Sequence, residues 1–220
     1  MGRPAAERRA ELVELYRELH DGHGCPLAAT RTHVVFGMGY ADADLMFVGE
    51  APGANEDLQG KPFVGQAGKL LDTLLGEIGL DRSDTFIANV LKCRPPGNRD
   101  PQPEEIAECE PYLMRQVALI EPVVICTLGN FATKLLSGSP IGITKVCGRP
   151  QAREIAGLDV KLYPLFHPAA ALRSSAVEQQ LRECFQRIPA LLEDARRERT
   201  PEPATVAVAD SPTEQLDLFG

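Results

Sequence analysis

Nowhere in its 220 residues does this sequence run apolar for the ~20 positions that a bilayer-crossing helix needs, so no membrane-spanning helix is expected. The first residues, Met1 to Pro4, lead into a charged helical pattern instead of a secretory leader, which points to a cytoplasmic protein. Cysteine is sparse: six are too few for a secreted disulfide scaffold, and in a reducing compartment their spacing points to metal binding or core packing. A surplus of positive charge is missing too. The net charge is −8, whereas phosphate binding wants a basic footprint. Much of that deficit lies in residues 198–220, where five acids (Glu198, Glu202, Asp210, Glu214, Asp217) face one base (Arg199), so the rest is only mildly acidic. Lys61, Lys69, Lys92, Arg94, Arg99 and Arg173 lie in or beside the segments singled out below, which leaves a local positive rim open. No internal repeat is present.

What the chain does have is apolar residues at 44%, enough for one substantial core and hence one domain with a tail. Residues 5–20 read as a helix with Leu12, Leu15 and Leu19 on one face, and a glycine-rich turn follows. Strand patterns over 45–48, 85–89, 123–128 and 160–166 then alternate with helical patterns over 67–78, 103–120, 130–136 and 177–195. Strand and helix in alternation imply parallel strands joined by right-handed crossovers. The expected fold is an α/β doubly wound three-layer sandwich with a central four-stranded parallel sheet. Past about Arg197 the sequence turns polar and proline-punctuated, so residues 1–197 are expected to form the domain and 198–220 a disordered tail.

The densest chemistry lies in Gly49-Glu50-Ala51-Pro52-Gly53 and its continuation to Gly68. Glycine-permitted backbone is concentrated there between a buried strand and a helix, the place where open α/β sheets bind ligands. Carboxylates, the Phe63 ring and closely spaced backbone N–H groups suit a flat polar ligand. Asn89 and His167 end two other strands and emerge at the same edge.

Taken in order and spacing, the Gly49 to Gly53 segment, Pro62-Phe63-Val64-Gly65, Asn89-Val90-Leu91-Lys92-Cys93-Arg94-Pro95-Pro96 and His167-Pro168 resemble the type 4 uracil-DNA glycosylases, over about Cys25 to Arg187. The resemblance implies a monomeric, monofunctional DNA repair enzyme that flips uracil out of DNA and hydrolyses its N-glycosidic bond, leaving an abasic site. It sets Phe63 against the uracil ring, where stacking is worth ~1–3 kcal/mol. Asn89 would read the edge that separates uracil from cytosine, because a carboxamide offers one donor and one acceptor. His167 would donate to O2 as negative charge builds there, whether neutral or protonated being open, and the backbone of Glu50, Ala51, Pro52 and Gly53 would line the other side. Glu50 or Asn55 would orient the attacking water. Leu172 is the candidate wedge into the DNA groove and Arg173 a phosphate contact. A uracil-DNA capture protein with little turnover is the alternative within the same superfamily, although the inserted basic loop of such proteins is absent after Arg94.

The same resemblance implies a 4Fe-4S cluster on four cysteines, of which Cys25, Cys93 and Cys109 match three. The first is missing, with Gly22 in its place. A histidine ligand (His23, with His20 further off), a three-cysteine cluster and loss of the cluster all remain open. Cys126, Cys147 and Cys184 read as core thiols. At the end of the tail, Gln215-Leu216-Asp217-Leu218-Phe219 looks like the pentapeptide by which bacterial repair proteins bind the sliding clamp.

Overall fold

Every residue of Leu45–Gly49, Thr85–Asn89 and Val124–Leu128 is buried, as strands covered on both faces require. The computed structural model describes residues 4–22 and 24–199. Helix α1 (Ala5–Gly22) leads to the short strand β1 (Met38–Gly39), then β2 (Leu45–Gly49), α2 (Ala54–Gln59) and α3 (Gln66–Glu77). A 3-10 turn, Arg82–Asp84, enters β3 (Thr85–Asn89), and a second, Pro96–Asn98, precedes α4 (Pro103–Ile120). Next come β4 (Val124–Leu128), α5 (Asn130–Ser137) and α6 (Ile143–Val146). The hairpin β5 (Gln151–Ile155) and β6 (Leu158–Leu165) is followed by α7 (Pro168–Ala171), α8 (Ser175–Phe185) and α9 (Ile188–Arg199).

The sheet order is β1-β3-β2-β4-β6-β5, with β3, β2, β4 and β6 mutually parallel and the two edge strands antiparallel. Successive side chains of β2 serve opposite layers. Met46 and Val48 join a core with Leu12, Leu15 and Leu19 of α1 and Leu113 and Val117 of α4. Leu45 and Phe47 join another with Leu71, Leu74 and Leu75 of α3 and Phe185 and Ile188 of the C-terminal helices. The three-layer, doubly wound architecture is therefore as expected.

Three details differ from the sequence reading. The parallel core of four strands gains β1 and β5 at its edges, for β1 is two residues long and β5 half exposed, so neither carries a buried apolar run. Ala156 and Gly157 both have positive φ (53° and 77°), the geometry of a two-residue hairpin turn. The helix expected over 177–195 is two, with Pro189 in the first turn of α9, where the missing N–H has no intrahelical partner to lose. Helix α9 continues to Arg199, whose side chain reaches Glu121 O. No helix among the described residues is long and apolar enough to cross a membrane.

Candidate active site

Parallel registry brings Gly49 beside Asn89 and Leu128 beside Leu165, so the strands open together on one edge of the sheet. A cavity of about 440 Å³ lies there, walled by Glu50, Ala51, Pro52, Gly53, Phe63, Asn89 and His167, with exposed Arg99 and Arg173 also lining it. This is the crevice beyond the strand ends where such sheets bind ligands.

Gly49 underlies the cavity as a floor beneath Asn89 and Phe63, which line it. A Cβ there would stand 2.4 Å from Asn89 Oδ1 and 2.7 Å from Phe63 Cζ, so both side chains close over bare backbone. Asn89 is 2% exposed, and its Oδ1 is buried without a hydrogen-bond partner. An unpaired buried acceptor of this kind costs ~1–3 kcal/mol until something donates to it. Its backbone carbonyl, by contrast, accepts from Lys92 Nζ at 2.8 Å, and the same ammonium donates to Gln116 Oε1 at 2.6 Å. Lys92 is fully buried and so contributes nothing to a basic rim; burial lowers its pKa to about 7.

Phe63 has φ of 52°, a left-handed conformation that a bulky residue adopts at a cost of ~1–3 kcal/mol. Its surroundings enforce it. Arg82 donates to the carbonyls of Pro62 and Phe63, Glu56 Oε1 accepts from Val64 N at 2.8 Å and Gly65 N at 2.9 Å, and Gly68 lets α3 approach the Phe63 carbonyl closely. The ring packs against His167, with centroids 5.6 Å apart and planes 25° from parallel.

His167 ends the segment after β6 and caps α7, its Nδ1 accepting from Ala169 N at 3.1 Å. Burial drives its pKa down to about 4, with Glu56 opposing the shift. The ring is therefore neutral near pH 7, with its proton on Nε2. Glu50 shifts the other way: burial first, then the charge of Asp100, raises it to about 7. Burial thus keeps the imidazole neutral near pH 7 and leaves Glu50 about half ionised there.

Asn55 stands exposed on α2 and is not among the cavity residues. Glu56, next in sequence, does line it, and the sequence reading missed it. The available signal was Glu at the third position of a helix whose cap is Gly53, the place from which a carboxylate reaches back to loop amides. Leu172 is 51% exposed between α7 and α8, beside exposed Arg173.

On the α1 and α4 face, Cys25, Cys93 and Cys109 are all buried, and the Cys25 thiol hydrogen-bonds both others. Leu27 N and Lys92 N approach the sulfurs of Cys25 and Cys109 at 3.4 Å each, and Arg31 Nη1 approaches Cys93 Sγ at 3.2 Å. Buried sulfurs with N–H donors aimed at them suit thiolates on an iron–sulfur cluster. No three His, Cys, Asp or Glu side chains among the described residues close around a single metal ion, a different demand from one thiolate per iron. His23 lies outside the described residues, and exposed His20 is engaged with its own helix through Tyr16 O at 2.9 Å. Cys126 and Cys184 are core thiols as expected, whereas Cys147 is only half-buried and hydrogen-bonds Cys184.

Residues 36–189 match the family model described as the uracil DNA glycosylase superfamily. The chain is 47% identical over 183 residues to a type-4 uracil-DNA glycosylase of Sulfurisphaera tokodaii, spanning 80% of this chain and 83% of that protein. It is 44% identical over 181 residues to one of Archaeoglobus fulgidus (80% and 91%) and 46% identical over 172 residues to one of Thermotoga maritima (77% and 88%).

Proposed function

Since this chain belongs to the uracil DNA glycosylase superfamily, we propose that it excises uracil from DNA by hydrolysis of the N-glycosidic bond. The observation that carries the reading is the orphaned Asn89 Oδ1, buried in a cavity it shares with an aromatic ring and a neutral imidazole. Uracil offers N3–H to that acceptor; cytosine offers a bare nitrogen there and leaves the acceptor unpaired, at ~1–3 kcal/mol.

An everted base loses its stacking in the duplex, a few kcal/mol that contacts in the pocket must recover. Phe63 supplies a face for the ring. As the bond between the sugar carbon and N1 breaks, its electron pair leaves with uracil and spreads onto O2. A hydrogen bond from His167 Nε2–H to O2 strengthens as that charge grows, and a neutral donor leaves the uracil anion unprotonated. Water adds its oxygen to the electron-poor sugar carbon, and the proton it gives up passes to solvent, from which the departed uracil anion is protonated in turn. Glu50, ionised above about pH 7, is suited to orient that water and to favour the cationic sugar. Arg173 lines the mouth of the cavity and Leu172 is exposed beside it, which supports phosphate contact and wedge roles in turn.

The proposal includes a 4Fe-4S cluster held by Cys25, Cys93 and Cys109 with a fourth ligand that His23 is placed in sequence to supply. When bound, it would clip the segment after α1 to the loop after β3 and to α4, a structural task outside the excision chemistry. It also includes docking of residues 215–219 on the bacterial sliding clamp; Gln215, Leu216, Asp217, Leu218 and Phe219 lie outside the described residues, and their sequence pattern is the support. Docking on the clamp would raise the local concentration of enzyme on DNA.

Release of free uracil from single- and double-stranded oligonucleotides tests the enzyme reading. Catalytic turnover is expected, with Asn89→Ala slower by roughly 5- to 150-fold. Retention of the substrate without turnover would instead identify a capture protein.

A further inference from the structure

Arg82 lies outside the cavity lining and carries none of the motif residues, yet its guanidinium addresses the loop that holds Phe63. Nη1 donates to Pro62 O at 3.0 Å and Nη2 to Phe63 O, while Nε donates to Asp72 Oδ1 on α3 at 2.5 Å. One planar group thus reads two successive carbonyls and a carboxylate, a task for a forked guanidinium that a lysine point charge cannot reproduce. The turn that presents Arg82 is itself braced. Asp81 and Asp84 form a reciprocal capping box around it, with Ser83 N donating to Asp81 at 2.6 Å. Strand β3 starts directly after this turn and ends at Asn89, so one element positions both the edge reader and the clamp on the stacking residue.

The clamp matters because Phe63 is where the backbone resists. A left-handed φ at a bulky residue relaxes toward negative values unless its carbonyl is held, and such a relaxation would swing the ring away from His167 and the Gly49 floor. Glu56 pins the loop from the amide side, through Val64 N and Gly65 N. Arg82 pins it from the carbonyl side.

We infer that Arg82, oriented by Asp72, is a positioning residue of the uracil pocket that acts through the Phe63 ring. The inference rests on the glycosylase reading and specifies how that site is kept in shape.

The test is a double-mutant cycle on the full chain, measured as single-turnover uracil excision and as inhibition by free uracil. Arg82→Met is expected to slow excision about 10- to 100-fold, the range for misplacement of a contact by around 1 Å, and to weaken inhibition by uracil. In a Phe63→Ala background the same substitution is expected to matter less than about twofold, since the ring it positions is gone. Arg82→Lys should fall between wild type and Arg82→Met. Equal losses in both backgrounds would show that Arg82 supports the fold rather than the ring, and an undiminished Arg82→Met would dismiss it altogether. Should Arg82→Met fail to fold, Asp72→Asn carries the same cycle, with a loss expected only where Phe63 is present. A wild-type protein that releases no uracil would overturn the enzyme reading itself, a result separate from any of these.

Discussion

The backbone amide of Ala169 donates to Nδ1 of His167 at 3.1 Å, which leaves Nε2 as the only place for the proton of a neutral ring. The contact settles a question that a histidine in a motif leaves open. Burial lowers the ring's pKa from 6.5 to about 4, so the ring is uncharged near neutral pH. Because the folded state favours the neutral ring, its contribution to stability is complete above pH 6.5 and is lost as pH falls toward 4. Ring nitrogen chemical shifts should show the Nε2–H form across neutral pH, with titration near 4. His167→Ala should lower single-turnover excision by ~10²- to 10³-fold, as loss of an oxyanion donor does. A ring titrating near 6.5 would contradict this account.

Glu50 carries a prediction for the acid limb of the pH profile. With its pKa at about 7, kcat/KM for uracil release should decline with falling pH below that value, as the carboxylate proposed to orient water takes up a proton. Glu50→Gln should be slower and lack this limb. Stability moves the other way: a raised folded pKa favours the protonated acid, so wild-type stability falls as pH rises from 4.5 to about 7, and the glutamine variant should escape that fall. Thermal unfolding at pH 5 and pH 8 measures the difference. An identical limb in Glu50→Gln would transfer the titration to another group.

The sulfur site yields a spectroscopic prediction. Protein purified without oxygen should be brown, with iron and sulfide in near-equal amounts, and Cys25→Ala, Cys93→Ala and Cys109→Ala should each lose the colour. Metal binding is linked to folding, so the same variants should unfold at lower temperature, by about 2–4 °C for each kcal/mol lost in a domain of this size. His23→Ala bleaches the absorption if its imidazole completes the set; an unchanged spectrum excludes it.

Fold and site were legible to different depths, for physical reasons. Strands β2, β3 and β4 could be read because burial on both faces demands continuous apolar runs, and α3 because Leu70, Leu71, Leu74 and Leu75 repeat at helical spacing. Strand β1 could not, since two residues carry no pattern. Asn89 and His167 stood out as motif residues at strand ends and Phe63 as one in the loop before α3, and the structure brings all three to one cavity. Glu56 and Arg82 did not, because they serve through contacts with backbone groups, and nothing in a one-dimensional pattern marks a carbonyl that needs a donor. Lys92 misled for a related reason: charge suggests a surface, while its two acceptors lie in the interior.

The floor of the cavity gives the sharpest mutational test. Gly49 has an ordinary backbone conformation, so no left-handed strain would arise in Gly49→Ala, and the consequence is purely one of space. The new methyl would start 2.4 Å from Asn89 Oδ1 and 2.7 Å from Phe63 Cζ, distances that require both side chains to shift. Phe63 cannot shift freely, because the bonds to its neighbours hold its backbone, whereas the Asn89 carboxamide, unbonded at Oδ1, would be pushed from its place. Overpacking of this kind destabilises by ~1–3 kcal/mol. The larger effect should fall on activity, since the two residues that move are those facing the base: excision should drop by roughly 100-fold or more, with the folded protein retained in circular dichroism. Gly49→Ala with wild-type excision would mean that the base does not lie over this floor.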